Sequence, residues 1–146
     1  LSPASSNAVS QNETSRRLMH TLQNLMWKDV GVLRDTEKLQ RALREIRRFR
    51  KEVFPLIRPK QGTVFNTSLM DWLDLRNSLL CAEAICLAAS ERKESRGAHQ
   101  MEDIPFKSDE FTKNQTISQQ DGYLLSSWKA VQKLDYDLET KSLAVI

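Results

Sequence analysis

The most constraining feature of this chain is a helix-forming segment that is apolar over too wide an arc to stand alone. Trp72, Leu75, Leu79, Ala82, Cys86 and Ala89 follow the alternating three-four rhythm of a helix seam. Leu69, Leu73, Leu80 and Leu87 form a second stripe beside it. Two stripes require cover on two sides, so at least two further helices must pack against this one. The sequence supplies them. Leu18, Leu22, Leu25, Met26 and Val30 mark one face of a helix over 16–30, with Ser15 as a plausible N-cap and Gly31 closing it. Leu39, Ala42 or Leu43, Ile46, Phe49 or Arg50, and Val53 mark another, capped by Asp35 or Thr36 and stopped by Pro55 and Pro59, with Gly62 in the loop beyond. The third helix opens near Asn66, Thr67 or Ser68.

Three helices of five to six turns with short loops predict an all-α, antiparallel three-helix bundle of the spectrin-repeat type over 16–105. Residues 1–15, LSPASSNAVSQNETS, are small and polar and read as a flexible linker or junction. Beyond Pro105 the period disappears. Residues 106–146 read as an extended, irregular tail, loop-like through FKSDEFTKNQTISQQDG. The closing WKAVQKLDYDLETKSLAVI (128–146) alternates enough for one or two short strands, or extended arms, after the turn-like Asp121-Gly122, and these would lean on the bundle or on a partner because a lone hairpin is marginal in water.

Composition narrows the functional classes. Charged residues are 28%, hydrophobic ones 40%, and the net charge is +3, a soluble composition without a strong electrostatic signature. The apolar run around Leu79 to Ser90 is too short to cross a membrane, so no direct membrane insertion is expected. Cys81 and Cys86, five apart on a helix, point to opposite sides and read as small buried hydrophobes.

One basic run stands out. Arg41, Arg44, Arg47, Arg48, Arg50, Lys51, Arg58 and Lys60 lie within 41–60, against only Glu45 and Glu52. Arginines at helical spacing can follow phosphates. Aromatic side chains are not interleaved with them, so a solvated helix face or a surface for an acidic partner is the simpler reading, and nucleic acid is not expected.

Catalytic motifs are wanting. Ser95, His99 and Asp103 are spaced by fours, but Gly97 and Pro105 break any helix that would put them on one face, and no G-x-S-x-G elbow is present. His20 and His99 are the only histidines, with no H-E-x-x-H, so no metal site is expected. No glycine-rich phosphate loop occurs, so the residues give no catalytic, cofactor-binding or metal-binding site. The stretch ERKESRGAHQMEDIP (91–105) therefore reads as a helix end: Glu91 to Glu94 as a solvated last turn, Gly97 as the closing residue, then a contact loop.

Several blocks carry a resemblance. LQNLMWKDVGVLRD (22–35), FNT (65–67), LRNSLLCAEAI (75–85) and above all KESRGAH (93–99) with Asp103 resemble the C-terminal helical domain of succinate dehydrogenase and fumarate reductase flavoprotein subunits, with L-aspartate oxidase a close relative. The resemblance implies a three-helix bundle appended to flavin-binding and capping domains. FAD would be bound by the parent protein and not by this chain, and the parent would interconvert succinate and fumarate. Electrons would pass between that FAD and an iron–sulfur subunit, with the parent cytoplasmic and peripheral on the cytoplasmic face of the inner membrane. None of the family's catalytic or flavin-binding residues falls in this chain. The implied role of Glu94, Ser95, Arg96, Gly97, His99 and Asp103 is a domain interface. Alanine before His99 and a long tail look more like the dehydrogenase and reductase subunits than the oxidase. The family pattern H-x-R-x-D-x-P has Met101 at its arginine position, leaving Asp103 to pair with Arg96 or water. Two alternatives stay open: L-aspartate oxidase as parent, or a free-standing helical module that binds anionic partners through the Arg41–Lys60 face.

Overall fold

A computed structural model describes residues 9–61 and 65–132, with side chains from Thr14 onward. Three long helices carry the fold: α1 (Val9–Asp29), α2 (Thr36–Arg48) and α3 (Thr67–Glu91). Their directions follow from the pairs that join them. Asp29 at the end of α1 meets Arg41 early in α2 at 2.8 Å. Cys86 near the end of α3 donates its thiol to the Leu39 carbonyl at 3.3 Å. Arg16 and Asp71, both early in their helices, meet at 2.9 Å. Thus α1 and α3 run one way and α2 runs against both.

The core follows the first of the two stripes expected on α3; of the second, Leu69 is exposed, Leu73 and Leu80 are half-buried, and only Leu87 is buried. Leu18, Leu22, Val30, Leu39, Ala42, Ile46, Phe49, Leu75, Leu79, Ala82, Cys86 and Ala89 are buried together, with Ile57 and Met101 closing its ends. Capping explains where the helices begin. Asp35 accepts from the Lys38 backbone N–H at 2.7 Å to open α2, and Asn66 accepts from Leu69 N–H at 3.1 Å to open α3. Gly31 is required where α1 stops: a Cβ there would lie 2.6 Å from the Trp27 carbonyl oxygen.

Several boundaries differ from expectation. Helix α1 starts at Val9, ahead of Arg16, so the segment 9–15 is helical and Ser15 is not a cap but a buried residue within the helix. No glycine or proline lies between Val9 and Ser15 to stop the helix, and a cap-competent residue does not force a start. Helix α2 ends at Arg48 and continues as a π-helical turn, Phe49–Val53, then a 3-10 turn, Phe54–Leu56. Pro55 lacks an N–H and cannot approach the carbonyl four residues back in α geometry, so the chain widens and then tightens around it. Cys81 is exposed; only Cys86 is a buried thiol, its pKa pushed up to about 11 by burial. Gly62 lies outside the described residues.

The all-α expectation holds for the bundle and not for the whole chain. Among the described residues, two two-stranded sheets accompany it. β1 (Leu33–Arg34) pairs in parallel with β2 (Gln100–Met101), stitching the α1–α2 connection to the segment after α3. β3 (Lys113–Gln120) and β4 (Tyr123–Ala130) form an antiparallel hairpin, with Gln120 opposite Tyr123 and Asp121-Gly122 at its tip. Asp121 and Gly122 have φ of 50 and 80°, the double positive φ of a type I′ turn. The turn was legible, but β3 was not: in KNQTISQQ only Ile117 is apolar, so no alternation betrays the strand. The hairpin lies against α3 and the π turn. Arg92 stacks on Trp128 (4.9 Å), Lys51 on Tyr123 (4.2 Å), and Arg50 donates to the Gly122 carbonyl at 2.9 Å. Among the described residues, no helix is long and apolar enough to cross a membrane.

Candidate functional site

The residues singled out from 91–105 gather where α1 and α3 end and α2 begins. Helix α3 stops at Glu91, and Arg92 is already extended at φ −81°, ψ 97°. Gly97 is therefore not the closing residue of the helix. It sits at φ 58° in a tight turn whose flanks, Arg96 and His99, exchange backbone hydrogen bonds of 2.8 and 3.0 Å. Glycine at the first central position of a two-residue turn supplies the positive φ that such turns need. The turn aims Gly97 and Ala98 at solvent.

His99 ties the helix ends together. Its Nε2–H donates to the Arg92 carbonyl at 2.9 Å, and its Nδ1 accepts from the Arg34 guanidinium at 2.9 Å. Arg34 Nε donates in turn to the carbonyls of Val30 and Gly31, at 3.2 and 2.8 Å, satisfying the open end of α1. Accepting from a guanidinium requires a neutral ring. Burial, with help from the flanking Arg34 and Arg92 charges, holds the His99 pKa below its ordinary value.

Glu94 is the hub of the next layer. It is fully buried, not part of a solvated last turn. Its Oε1 accepts from Arg92 at 2.7 Å and Arg96 at 2.9 Å, and its Oε2 accepts from the Ser108 backbone N–H at 3.0 Å. The Arg96 hydrogen bond leads, with the Ser108 and Arg92 hydrogen bonds behind it, and together they hold the pKa down to about 2 despite burial. The two arginines then reach outward. Arg92 donates to the carbonyls of Phe111 and Lys113, and Arg96 to the Ser108 carbonyl and the Thr112 hydroxyl. Glu94 thus fastens the end of α3 to the root of the hairpin.

Ser95 and Asp103 go elsewhere. The buried Ser95 hydroxyl donates to the Ile104 carbonyl at 2.7 Å and accepts from Met101 N–H at 2.8 Å. Asp103 accepts from the Thr36 backbone N–H at 3.1 Å, hydrogen bonding that lowers its pKa. It caps α2 beside Asp35 and pairs with neither Arg96 nor an arginine at position 101. Met101 is buried in the core. Ser95, His99 and Asp103 are each anchored to a different backbone segment, and the arrangement offers no nucleophile–base–carboxylate relay.

Arg34 and Arg92 were not singled out from the sequence. Arg34 stands just past the end of α1, where a cation is favoured, and that is the one local signal it carried. Glu83 lies inside the apolar run around Leu79 to Ser90. It is 3% exposed and accepts from Arg47 at 3.1 Å and from Arg50. With Arg41 on Asp29 and Arg48 on Glu45, much of the basic run is neutralised within the chain itself. That weakens its standing as a face for anionic partners.

Among the described residues, the N-termini of α2 and α3 do not suit a dinucleotide pyrophosphate. The α2 N-terminus is occupied by the carboxylates of Asp35 and Asp103 with Glu37 in its first turn, and Asn66 caps α3. Carboxylates at a helix N-terminus repel the anion such a site must attract. Among the described residues, no cluster of three or more His, Cys, Asp or Glu could hold a metal.

Comparison with known proteins agrees with the geometry. A family described as "Fumarate reductase flavoprotein C-term" matches residues 19–142. The chain is similar to L-aspartate oxidase of Yersinia pestis, 41% identical over 86 residues, 59% of this chain and 15% of that protein. It is also similar to the 8-methylmenaquinol:fumarate reductase flavoprotein subunit of Wolinella succinogenes, 32% identical over 118 residues, 79% of this chain and 19% of that protein. Among solved structures, the Mycobacterium smegmatis Sdh1 complex in the apo form superposes with a TM-score of 0.73 at 27% identity, covering 82% of this chain and 21% of that one. The chain thus spans about a fifth or less of the length of these relatives.

Proposed function

This chain belongs to the fumarate reductase flavoprotein C-terminal family, and on that footing we propose that it is the non-catalytic helical part of an FAD-dependent succinate dehydrogenase or fumarate reductase. The parent interconverts succinate and fumarate and passes electrons between its FAD and an iron–sulfur subunit, peripherally on the cytoplasmic face of the inner membrane. FAD and dicarboxylate are held by the flavin-binding and capping parts. This chain packs against those parts through the end of the bundle that carries Glu94, Ser95, Arg96, Gly97, His99 and Asp103.

One observation carries this reading. Glu94, Ser95, Arg96 and His99 of the KESRGAH segment are engaged on the chain's own backbone and charged side chains, which builds a rigid, pre-organised surface and leaves no reactive group poised. Glu94 and Ser95 act from inside the surface, while Gly97 and Ala98 are its exposed tip. L-aspartate oxidase as parent is the second reading, favoured by the 41% identity to the Yersinia enzyme. The longer reach of the Wolinella reductase match, 118 residues against 86, favours the dehydrogenase or reductase class.

The test is purification of this chain alone and with the flavin-binding and capping part of the same flavoprotein. The chain alone should be helical and colourless, and it should form a one-to-one complex with that part. Flavin absorbance that copurifies with the chain by itself, or failure to form the complex, contradicts the reading.

A further inference from the structure

Where the hairpin lies over α3 and the π turn, it walls off a pocket of about 410 Å³. Arg50 enters from the π turn, Phe54 from the 3-10 turn, Arg76, Asn77 and Leu80 from α3, and Gln119 from β3. Positions 76 and 80 are one helical turn apart and share a face of α3. The π turn ahead of Pro55 brings Arg50 to the same place, and π turns within helices recur at functional sites. The volume falls in the range of small-molecule sites, about 300–1,000 Å³.

This pocket has hydrogen-bond donors to spare. Around Glu94 the Arg92 and Arg96 guanidiniums are spent on that carboxylate and on backbone carbonyls. Arg76 is not spent: among the described residues its side chain has neither an ion pair nor a hydrogen bond, only the Trp72 ring centroid 5.9 Å from its guanidinium. Trp72 is itself fixed, stacked on Phe54 at 4.9 Å and donating its indole N–H to the Ile57 carbonyl at 3.0 Å. A guanidinium held over a ring keeps its N–H edge open for a two-pronged hydrogen bond to a carboxylate. The side-chain amides of Asn77 and Gln119 are also without hydrogen-bond partners among the described residues. Arg50 is already held, by Glu83 on α3 and by the Gly122 carbonyl of the hairpin, so it ties the walls of the pocket together. Arg47 shares Glu83 with it, which leaves one positive charge over.

We propose that this pocket binds a small organic carboxylate with an apolar or aromatic body. Arg76 grips the carboxylate, Asn77 and Gln119 bond beside it, and Phe54 and Leu80 receive the body. The assignment is independent of the proposed function above. Charge selects an anion: two arginines and two amides line the pocket, and among the described residues no carboxylate does. The apolar floor selects against inorganic phosphate, whose oxygens would face Phe54 and Leu80 without donors. Because Arg50 and Trp72 are fixed before any ligand arrives, little conformational freedom is lost on binding.

The experiment titrates the chain with phenylacetate and follows the Arg76 Nε–H and the Asn77 and Gln119 side-chain amides by NMR. Acetate, benzyl alcohol and inorganic phosphate are the comparison probes: the carboxylate alone, the body alone and a different anion. Phenylacetate should saturate these resonances with a Kd of about 1 mM or tighter, at least about tenfold below that of each comparison probe. Arg76→Ala changes an exposed helix position and should weaken binding at least about tenfold, with the melting temperature kept. Arg44→Ala removes an equally exposed arginine from α2 and should leave binding unchanged. Absence of saturation by phenylacetate, equal binding of phosphate, or an equal loss in Arg44→Ala would each overturn the proposal. Binding of a peptide ending in phenylalanine, with none of phenylacetate, would assign the pocket to a polypeptide end and overturn it as well.

Discussion

The interior of the bundle and the polar seam at the end of α3 are both shut off from water, and they differ in what holds them. Leu39, Ile46, Leu75 and Leu79, all 0% exposed, are kept by area removed from water, which is non-directional and survives small shifts. Glu94, also 0% exposed, is kept by three discrete partners at 2.7 to 3.0 Å, and each must be in place. The interior therefore decides that three helices associate. The seam decides how their ends, the turn and the hairpin root are registered.

This contrast can be broken by substitution. Leu79→Ala should cost the most, about 2–5 kcal/mol by urea denaturation, because it opens a cavity where helices meet. A loss below about 1 kcal/mol would mean the site collapses freely and is no true core. Glu94→Gln should cost somewhat less, about 3 kcal/mol, because Arg92 and Arg96 lose their shared carboxylate but retain some access to solvent.

The same variant carries a pH signature. The folded pKa of Glu94 is about 2 against an ordinary 4.5, so its contribution is complete above about 4.5 and is lost as pH falls toward about 2. His99, with its pKa lowered from 6.5, adds a decline of the same sign that begins as pH falls through that value. Stability curves of the natural chain and Glu94→Gln should therefore converge below pH 4.5. Parallel curves through that window would show the seam to be no more than solvated surface.

Gly97→Ala should have the smallest effect. Its Cβ would meet nothing within 4 Å, so the cost is that of φ 58° alone, about 1–2 kcal/mol by thermal melting. A loss as large as that of Leu79→Ala would mean that the turn holds the core and not only the seam.

How far the sequence reaches follows the same division. The interior was legible: the stripe Leu75, Leu79, Ala82, Cys86 and Ala89 is buried as spaced, and Asp35 and Asn66 cap, each one of the alternatives the spacing allowed. Helical period is a local signal and survives without knowledge of neighbours. The seam was legible as a motif and not as a structure. Arg34 and His99 are 65 residues apart, and Asp103 and Thr36 are 67 apart, and no periodicity links such pairs. Glu94 looked solvated because a glutamate beside Arg92 and Lys93 at a helix end usually is. The strand Lys113–Gln120 escaped because its pairing partner, and not its own hydropathy, makes it a strand.

The central claim is that Ser95 and His99 hold the molecule together and do not react. The direct test is turnover per bound flavin in the intact flavoprotein carrying Ser95→Ala or His99→Gln. The account predicts lower stability and looser retention of this domain, with turnover per bound flavin unchanged within a factor of about two. A fall of about 10²-fold or more, the size expected on losing a general acid or base, with flavin content and melting temperature intact, would contradict it.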